Sequence, residues 1–168
     1  MAGLARPAQA ELRVEILRAG AWASDPSGDR PDPALRDDTL SGVQLLSPPR
    51  YTGEGPAVEA RYCTGFGLTF RLEGIPAGET PVMLVRNLHP RLTRPDGASA
   101  TEDVFEMHAG PGALWTGFMF AEDWSLVPGE WVFTLSVQGR ELARQAFSVR
   151  RASDPGSPEA NGCARLTS

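Results

Sequence analysis

Short stretches in which apolar and polar residues alternate recur along most of the chain. In ELRVEILR, residues 11–18, apolar Leu12, Val14 and Ile16 alternate with charged Arg13 and Glu15, and this period of two is typical of a strand with one buried face. Segments rich in Gly and Pro separate the alternating stretches and favour short strands over long helices. The same alternation occurs in three further stretches, at residues 66–73, 131–138 and 143–149.

One segment, ALWTGFMFA at residues 113–121, is apolar on both faces of its predicted strand. Phe118 and Phe120 share one face, whereas Trp115 and Met119 share the other. A strand that is apolar on both faces lies either at the centre of a sheet or beneath a covering loop.

The whole pattern predicts one all-β domain over residues 11–150. It contains seven to nine short strands with turns between them and no internal repeat. An antiparallel β-sandwich fits this pattern, and an eight-stranded small barrel is the alternative. A chain of 168 residues is long enough to bury a core without a structural metal.

Three segments lie outside the predicted strands. Residues 19–41 hold three Pro and five Asp and are predicted to form a long acidic loop. Residues 151–168 are rich in Ser, Pro, Gly and Ala, which predicts a disordered tail. Residues 1–10 are predicted to be a flexible N-terminus or a signal-peptide remnant.

Charge and hydropathy exclude two classes of partner. The formal net charge is −5 and all 16 basic residues are Arg, so we expect no binding to nucleic acid. No apolar run approaches the roughly 18 residues of a membrane-spanning helix, so the chain is not predicted to span a membrane.

The compartment depends on weaker signals. The A-x-A sequence at Ala8–Ala10 is typical of a signal-peptide cleavage site, although no apolar stretch precedes it. This favours a periplasmic or secreted protein over a cytoplasmic one. The two cysteines, Cys63 and Cys163, allow a disulfide but do not require it.

The stretch FMFAEDWSLVPGEWVFTLSVQGRELARQAFSV, residues 118–149, resembles the C-terminal third of a family of bacterial proteins known only as a domain of unknown function. Family members end in F-x-F, an acidic-aromatic pair, L-V-P-G-x-W, a strand, a Gly turn and F-x-V. The corresponding residues are Phe118, Phe120, Asp123, Trp124, Leu126, Val127, Pro128, Gly129, Trp131, Phe147 and Val149.

This resemblance spans roughly residues 11–150 and implies an immunoglobulin-like sandwich with no agreed activity. We therefore expect a binding or interaction module, more readily than an enzyme, with a protein or peptide as its partner. An edge strand or the 19–41 loop is the expected contact surface. A second hypothesis is a sheet-edge homodimer in which the outer face of strand 113–121 packs against a second copy.

Three residues could form a metal site and support a small metal-dependent enzyme. Glu106 and His108 are two residues apart and would share a face of one strand. With His89 from a neighbouring strand they would provide the ligands of a zinc or non-haem iron centre. No other cofactor is expected.

Two further groups could bind a ligand. Arg86, Arg91 and Arg94 surround His89 in sequence and could bind a carboxylate or a phosphate. Trp22, Trp115 and Trp124 could stack on a sugar or a peptide, although positions in the core or covering a sheet would also suit them.

Overall fold

Ten strands form two sheets that pack face to face. The computed structural model of the protein describes residue 3 and residues 11–163. One sheet has the strand order β3-β1-β5-β8 and the other the order β2-β7-β6-β9-β10-β4. The strands are β1 Arg13–Ala23, β2 Asp37–Asp38, β3 Arg50–Tyr51, β4 Ala57–Ala60, β5 Thr64–Glu73, β6 Val82–Thr93, β7 Ser99–His108, β8 Ala113–Phe120, β9 Gly129–Val137 and β10 Arg140–Arg151.

The predicted β-sandwich is confirmed, and the barrel alternative is wrong because the strands divide into two separate sheets. Neighbouring strands are antiparallel except β4, which pairs with β10 in parallel. That pairing departs from the all-antiparallel expectation.

Aromatic side chains fill the space between the sheets. Phe66 of β5 lies at the centre of this core and is fully buried. Trp131 begins the buried face of β9 and meets the Phe66 ring edge-on at 5.4 Å between centroids. Such edge-to-face pairs add to the free energy gained from burial. Phe66 also contacts the rings of Phe118, Phe120, Phe133 and Phe147.

β1 extends further than its alternation predicts. The segment 19–41 was expected to be a loop, but β1 continues through Ala23 and β2 occupies Asp37–Asp38. A register shift between Ile16 and Arg18 inserts one extra residue, which reverses the phase of the alternation. The second half of the strand therefore has no continuous period-two pattern in the sequence.

The bulge places Trp22 on the outer face of the four-stranded sheet, where it is nonetheless fully buried. Its indole ring lies across three glycines, Gly65, Gly67 and Gly117. A Cβ atom at Gly67 would lie 2.2 Å from the Thr116 carbonyl oxygen and 2.7 Å from Cη2 of Trp22. Only glycine leaves room for the ring at these positions.

β6 continues beyond Pro90, although proline is rare inside a paired strand. The strand runs to Thr93 because a register shift between Leu88 and Leu92 contains the proline. Proline is tolerated in a sheet at such an irregularity, where its missing N–H breaks no ladder hydrogen bond.

The segment after β10 is ordered as far as residue 163, which corrects the predicted disordered tail over these residues. A short helix, α1 (Pro158–Asn161), is capped by Ser157, whose hydroxyl oxygen accepts a hydrogen bond from the Ala160 N–H. Cys163 forms a disulfide with Cys63 across 100 residues of sequence. The bond attaches the segment to the sandwich, and spacing alone could not reveal it.

The proposed signal-peptide remnant, including Ala8–Ala10, and the last five residues of the predicted tail lie outside the described residues. Within the described residues, no helix is both long enough and apolar enough to cross a bilayer.

Candidate functional site

One flank of the sandwich is closed by a loop rather than by a strand. We call residues 24–49, between β1 and β3, the roof loop; β2 is part of it. β8 is the last strand of the four-stranded sheet. On the same flank, the edge strand of the six-stranded sheet is β2, which has two residues and pairs with β7.

The roof loop is fastened to both sheets. On the six-stranded sheet, Asp37 and Asp38 pair with β7, and the Leu40 N–H donates to Oδ1 of Asp103 at 2.9 Å. On the four-stranded sheet, the Trp115 indole N–H donates to the Leu46 carbonyl oxygen at 3.1 Å. The loop therefore bridges the gap between β7 and β8.

A cavity of about 930 Å³ lies beneath this bridge. We call it the roofed cavity. β8 contributes residues 113–119, β7 contributes residues 105–108, and the roof loop contributes most of the remaining wall. Its volume lies at the upper end of the range of roughly 300–1,000 Å³ that is usual for ligand sites.

The free edge of β8 runs along the cavity. Within the described residues β8 pairs with one strand only, β5. In an antiparallel ladder, alternate backbone N–H and C=O groups point away from the partner strand. Among the described residues, no further strand pairs with these outward-pointing groups of β8.

Polar side chains interrupt the apolar inner face of β6 beside the cavity. Met83 and Val85 are buried in the core, but the next residues in the same phase are Asn87 and His89. Asn87 is 2% exposed, and no donor among the described residues bonds to its Oδ1. Asp103 of β7 lies directly opposite Asn87 in the ladder and is 4% exposed. Asn87 and Asp103 both line the cavity.

His89 completes this buried cluster. Its Nδ1 lies 2.7 Å from the Pro90 carbonyl oxygen. A carbonyl oxygen only accepts, so Nδ1 carries a proton and a neutral ring presents a lone pair at Nε2. Nε2 lies 3.4 Å from Oδ2 of Asp103 without forming a hydrogen bond. The cluster thus contains three acceptor atoms and lacks a matching donor as long as His89 is neutral.

The wall of the roofed cavity is acidic. It includes Asp103 in its interior and His108 at its rim, and no arginine among the described residues lines it. His108 bonds to Asp32 at 3.0 Å, which holds the pKa of the Asp32 carboxyl below its ordinary value, with a further contribution from the Ala34 N–H. The other carboxylates of the wall belong to Asp29, Glu106 and Glu122.

The structure does not bring the predicted metal ligands together. His108 is opposite Val82 in the β6–β7 ladder, whereas His89 lies seven residues further along β6. His89 is buried, and Glu106 accepts a hydrogen bond from the Arg36 N–H. Among the described residues, no group of three His, Cys, Asp or Glu is placed to hold a metal ion. Among the described residues, the three predicted ligands are therefore not brought together into one site.

The three predicted arginines do not form one anion site. Arg86 pairs with Glu102 at 3.3 Å, and Arg91 donates to the Ser99 hydroxyl at 2.9 Å. Arg94 pairs with Asp96 and also donates to the Leu40 carbonyl oxygen at 2.7 Å, so it supports the roof loop. None of the three lines the cavity.

The predicted tryptophans, in contrast, all meet at the roofed cavity. Trp22, Trp115 and Trp124 contribute to its wall. Trp22 is fully buried against the glycines, while Trp115 and Trp124 are half-buried. The roof loop occupies the outer face of β8 at Trp115, and this is the face predicted to pack in a homodimer.

Sequence reasoning missed Asn87 and Asp103. The sequence could have indicated Asn87, because it follows Met83 and Val85 at the same period-two spacing and therefore faces the core. Asp103 carries no such signal, since only the ladder places it opposite Asn87.

The chain matches the model of one protein family, described as Domain of unknown function (DUF3859), over residues 24–149. This range includes the roof loop and every residue that lines the cavity except Trp22. The chain belongs to the DUF3859 family.

A solved structure supports the same fold. The DUF3859 chain described here is similar to an immunoglobulin-like protein from Pseudomonas aeruginosa, with 25% sequence identity and a TM-score of 0.55. The match covers 86% of this chain and 100% of the other. The immunoglobulin-like fold implied by the sequence resemblance is thereby confirmed. A comparison with curated proteins finds no match.

Proposed function

We propose that the protein is a binding module that takes an extended peptide along the free edge of β8. The observation that carries this proposal is the free edge itself, which runs along a cavity of about 930 Å³. An extended peptide that adds a strand to an exposed edge satisfies the backbone groups of both chains.

The walls of the roofed cavity suit such a ligand. The side chains of an added strand point alternately to the two faces of the sheet. On one face they would meet Trp115 and Met119, and on the other the buried positions beside Asn87. Apolar walls with a few placed polar groups are typical of specific ligand sites.

The disulfide supports a related proposal about the compartment. A structural disulfide persists in the periplasm or outside the cell and is rare in the cytosol. The Cys63–Cys163 bond therefore favours an extracytoplasmic protein.

The test uses the four methionines as reporters. Peptides of about twelve residues, longer than a typical strand, are selected from a phage library on the full-length protein. The selected peptides are then titrated into protein carrying ¹³C-methyl methionine. Met107 and Met119 line the cavity, whereas Met83 is buried in the core outside it. We expect the Met107 and Met119 signals to shift and that of Met83 to stay.

A matched pair of variants locates the contact independently. Ala113 is exposed at the start of β8 and lines the cavity, so Ala113→Trp places a bulky ring at its wall. Leu17 is exposed on β1 outside the cavity, so Leu17→Trp is the control. We expect Ala113→Trp alone to weaken binding. Equal binding by both variants, or shifts confined to Met83, would overturn the proposal.

A further inference from the structure

Asp103 is a buried carboxylate without a strong cationic partner. Its Oδ1 accepts one backbone hydrogen bond, from Leu40, while its Oδ2 faces the unbonded Nε2 of His89. Among the described residues no arginine forms an ion pair with it. A buried carboxylate is costly unless it is paired with a positive charge or well hydrogen-bonded.

Asn87 adds a second, independent feature. Its Oδ1 is buried, has no donor and belongs to a side chain that lines the roofed cavity. A buried acceptor that forms no hydrogen bond destabilises the folded protein. Among the described residues, Oδ1 of Asn87 and Oδ2 of Asp103 therefore both lack a hydrogen-bond donor. A single group that carries several N–H donors would satisfy both.

The surrounding charge favours a cation in this place. Four further carboxylates line the cavity, and none of the arginines in the described part of the chain does, so the potential there is negative. His108 is the basic group of the wall among the described residues, and it already bonds to Asp32.

We propose that the roofed cavity accepts a lysine or arginine side chain of the bound peptide, whose charged head is received by Asp103 and Asn87. This inference rests on the proposed function, since the peptide backbone on β8 delivers the side chain. A strand paired with β8 directs every second side chain between the two sheets. There Asn87 and Asp103 form the opposite wall.

An internal ion pair is the rival explanation of the same cluster. If His89 were an imidazolium, its Nε2–H would donate to Asp103 and no ligand charge would be needed. The two explanations differ in peptide selectivity, which is what the experiment measures.

The experiment compares peptide preferences of four full-length proteins at about 0.15 M salt, where exposed charges are largely screened. The proteins are the wild type, Asp103→Asn, Asn87→Leu and Asp29→Asn, which removes an exposed charge of the same wall. Each selected peptide is tested in its original form and with its basic residue replaced by glutamine. Spermidine and arginine amide are tested as free cations.

We expect selected peptides to share one lysine or arginine, and its replacement by glutamine to weaken binding to the wild type by at least about tenfold, or 1.4 kcal/mol. Asp103→Asn should abolish that difference, Asn87→Leu should reduce it, and Asp29→Asn, which removes an exposed and largely screened charge, should reduce it least. Asn is close in shape to Asp and keeps an acceptor for the Leu40 N–H. If thermal melting shows that Asp103→Asn or Asn87→Leu does not fold, the other of these two variants is used for the comparison.

The contrary outcomes are distinct. Peptides that bind at β8 with no basic preference would overturn this inference and leave the proposed function standing. If the preference for a basic residue survives in Asp103→Asn but is lost in Asp29→Asn, surface charge explains the preference. That outcome would overturn this inference. Binding of spermidine or arginine amide with no peptide binding would overturn the proposed function and this inference together.

Discussion

Asn87 and Asp103 lie directly opposite each other on β6 and β7, and both are almost completely buried beside a cavity. Two polar side chains in this position are unusual, because the same face of β6 begins with apolar Met83 and Val85. Buried polar groups are normally matched by partners within the protein. The incomplete match at Asn87 makes this pair the focus of the site.

Asp103 also holds the roof loop in place. Replacing Asp103 with Ala removes the acceptor of the Leu40 N–H and should lower the free energy of unfolding by about 1–3 kcal/mol. Amide hydrogen exchange at Leu40 should accelerate at the same time. The control is Glu102→Ala at the neighbouring exposed position, where loss of the surface pair with Arg86 should cost less than about 1 kcal/mol. Equal effects at both positions would contradict the role given to Asp103.

The glycines beneath Trp22 are expected to be intolerant of any side chain. In Gly67→Ala the new Cβ would meet the Thr116 carbonyl oxygen at 2.2 Å, so backbone must shift, at a cost of about 1–3 kcal/mol. Gly53→Ala is the matched control, because a Cβ there meets nothing within 4 Å. Chemical denaturation of the two variants provides the measurement. A Gly67→Ala protein as stable as the control would show that the backbone of the neighbouring strand β8 can shift without cost.

The disulfide should contribute strongly to stability. Cys63 and Cys163 are 100 residues apart, and cross-links that close long loops restrict the unfolded chain most in the chain-entropy model. Cys163→Ser should lower the free energy of unfolding by about 2–5 kcal/mol. Denaturation of the wild type under reducing conditions should reproduce the effect.

Thiol labelling of the protein in its source cells tests the compartment proposal. We expect Cys63 and Cys163 to resist alkylation until a reductant is added. Free thiols at both cysteines in freshly lysed cells would argue against an oxidising compartment.

The contact of the roof loop with His108 should depend on pH. The pKa of Asp32 is lowered by the His108 hydrogen bond and by the Ala34 N–H. A carboxyl group whose pKa is lower in the folded state stabilises that state above its ordinary pKa of about 3.9, and the effect is lost as pH falls through the lowered value.

In His108→Ala the Asp32 pKa should rise toward its ordinary value, which NMR titration of the carboxyl carbon measures directly. Asp96, whose pKa is held low chiefly by Arg94, should be unaffected and is the internal control. An unchanged Asp32 pKa would show that Ala34 alone lowers it.

Core packing around Phe66 should be sensitive to truncation. Phe66 is fully buried and contacts five aromatic rings, so Phe66→Ala should lower the free energy of unfolding by about 3–5 kcal/mol. Leu17→Ala, at an exposed position of β1, is the control and should change it by less than about 0.5 kcal/mol.

The alternation of apolar and polar residues predicts the sandwich and most of its strands. Alternation in β5, β9 and β10 records which side of each strand faces the core, because successive side chains point to opposite faces. Trp131 of β9 and Phe147 of β10 could be assigned to the core for that reason, and both are buried there. The apolar outer face of β8 also indicated a covering loop, although not which segment covers it.

Which residues come together at the site depends on tertiary contacts that alternation does not record. A bulge at Leu17 reverses the alternation in β1, and a register shift around Pro90 interrupts it in β6. The ends of these two strands therefore cannot be predicted from alternation. Pairings across long separations leave no local pattern: Asn87 meets Asp103 through the ladder, and Cys63 meets Cys163 through the fold. His89 and Glu106 looked like metal ligands in the sequence, but strand register separates His89 from His108 by seven residues of β6. The alternation within a strand depends only on neighbouring residues. The register between strands and the covering of a sheet by a loop depend on the packing of the whole chain.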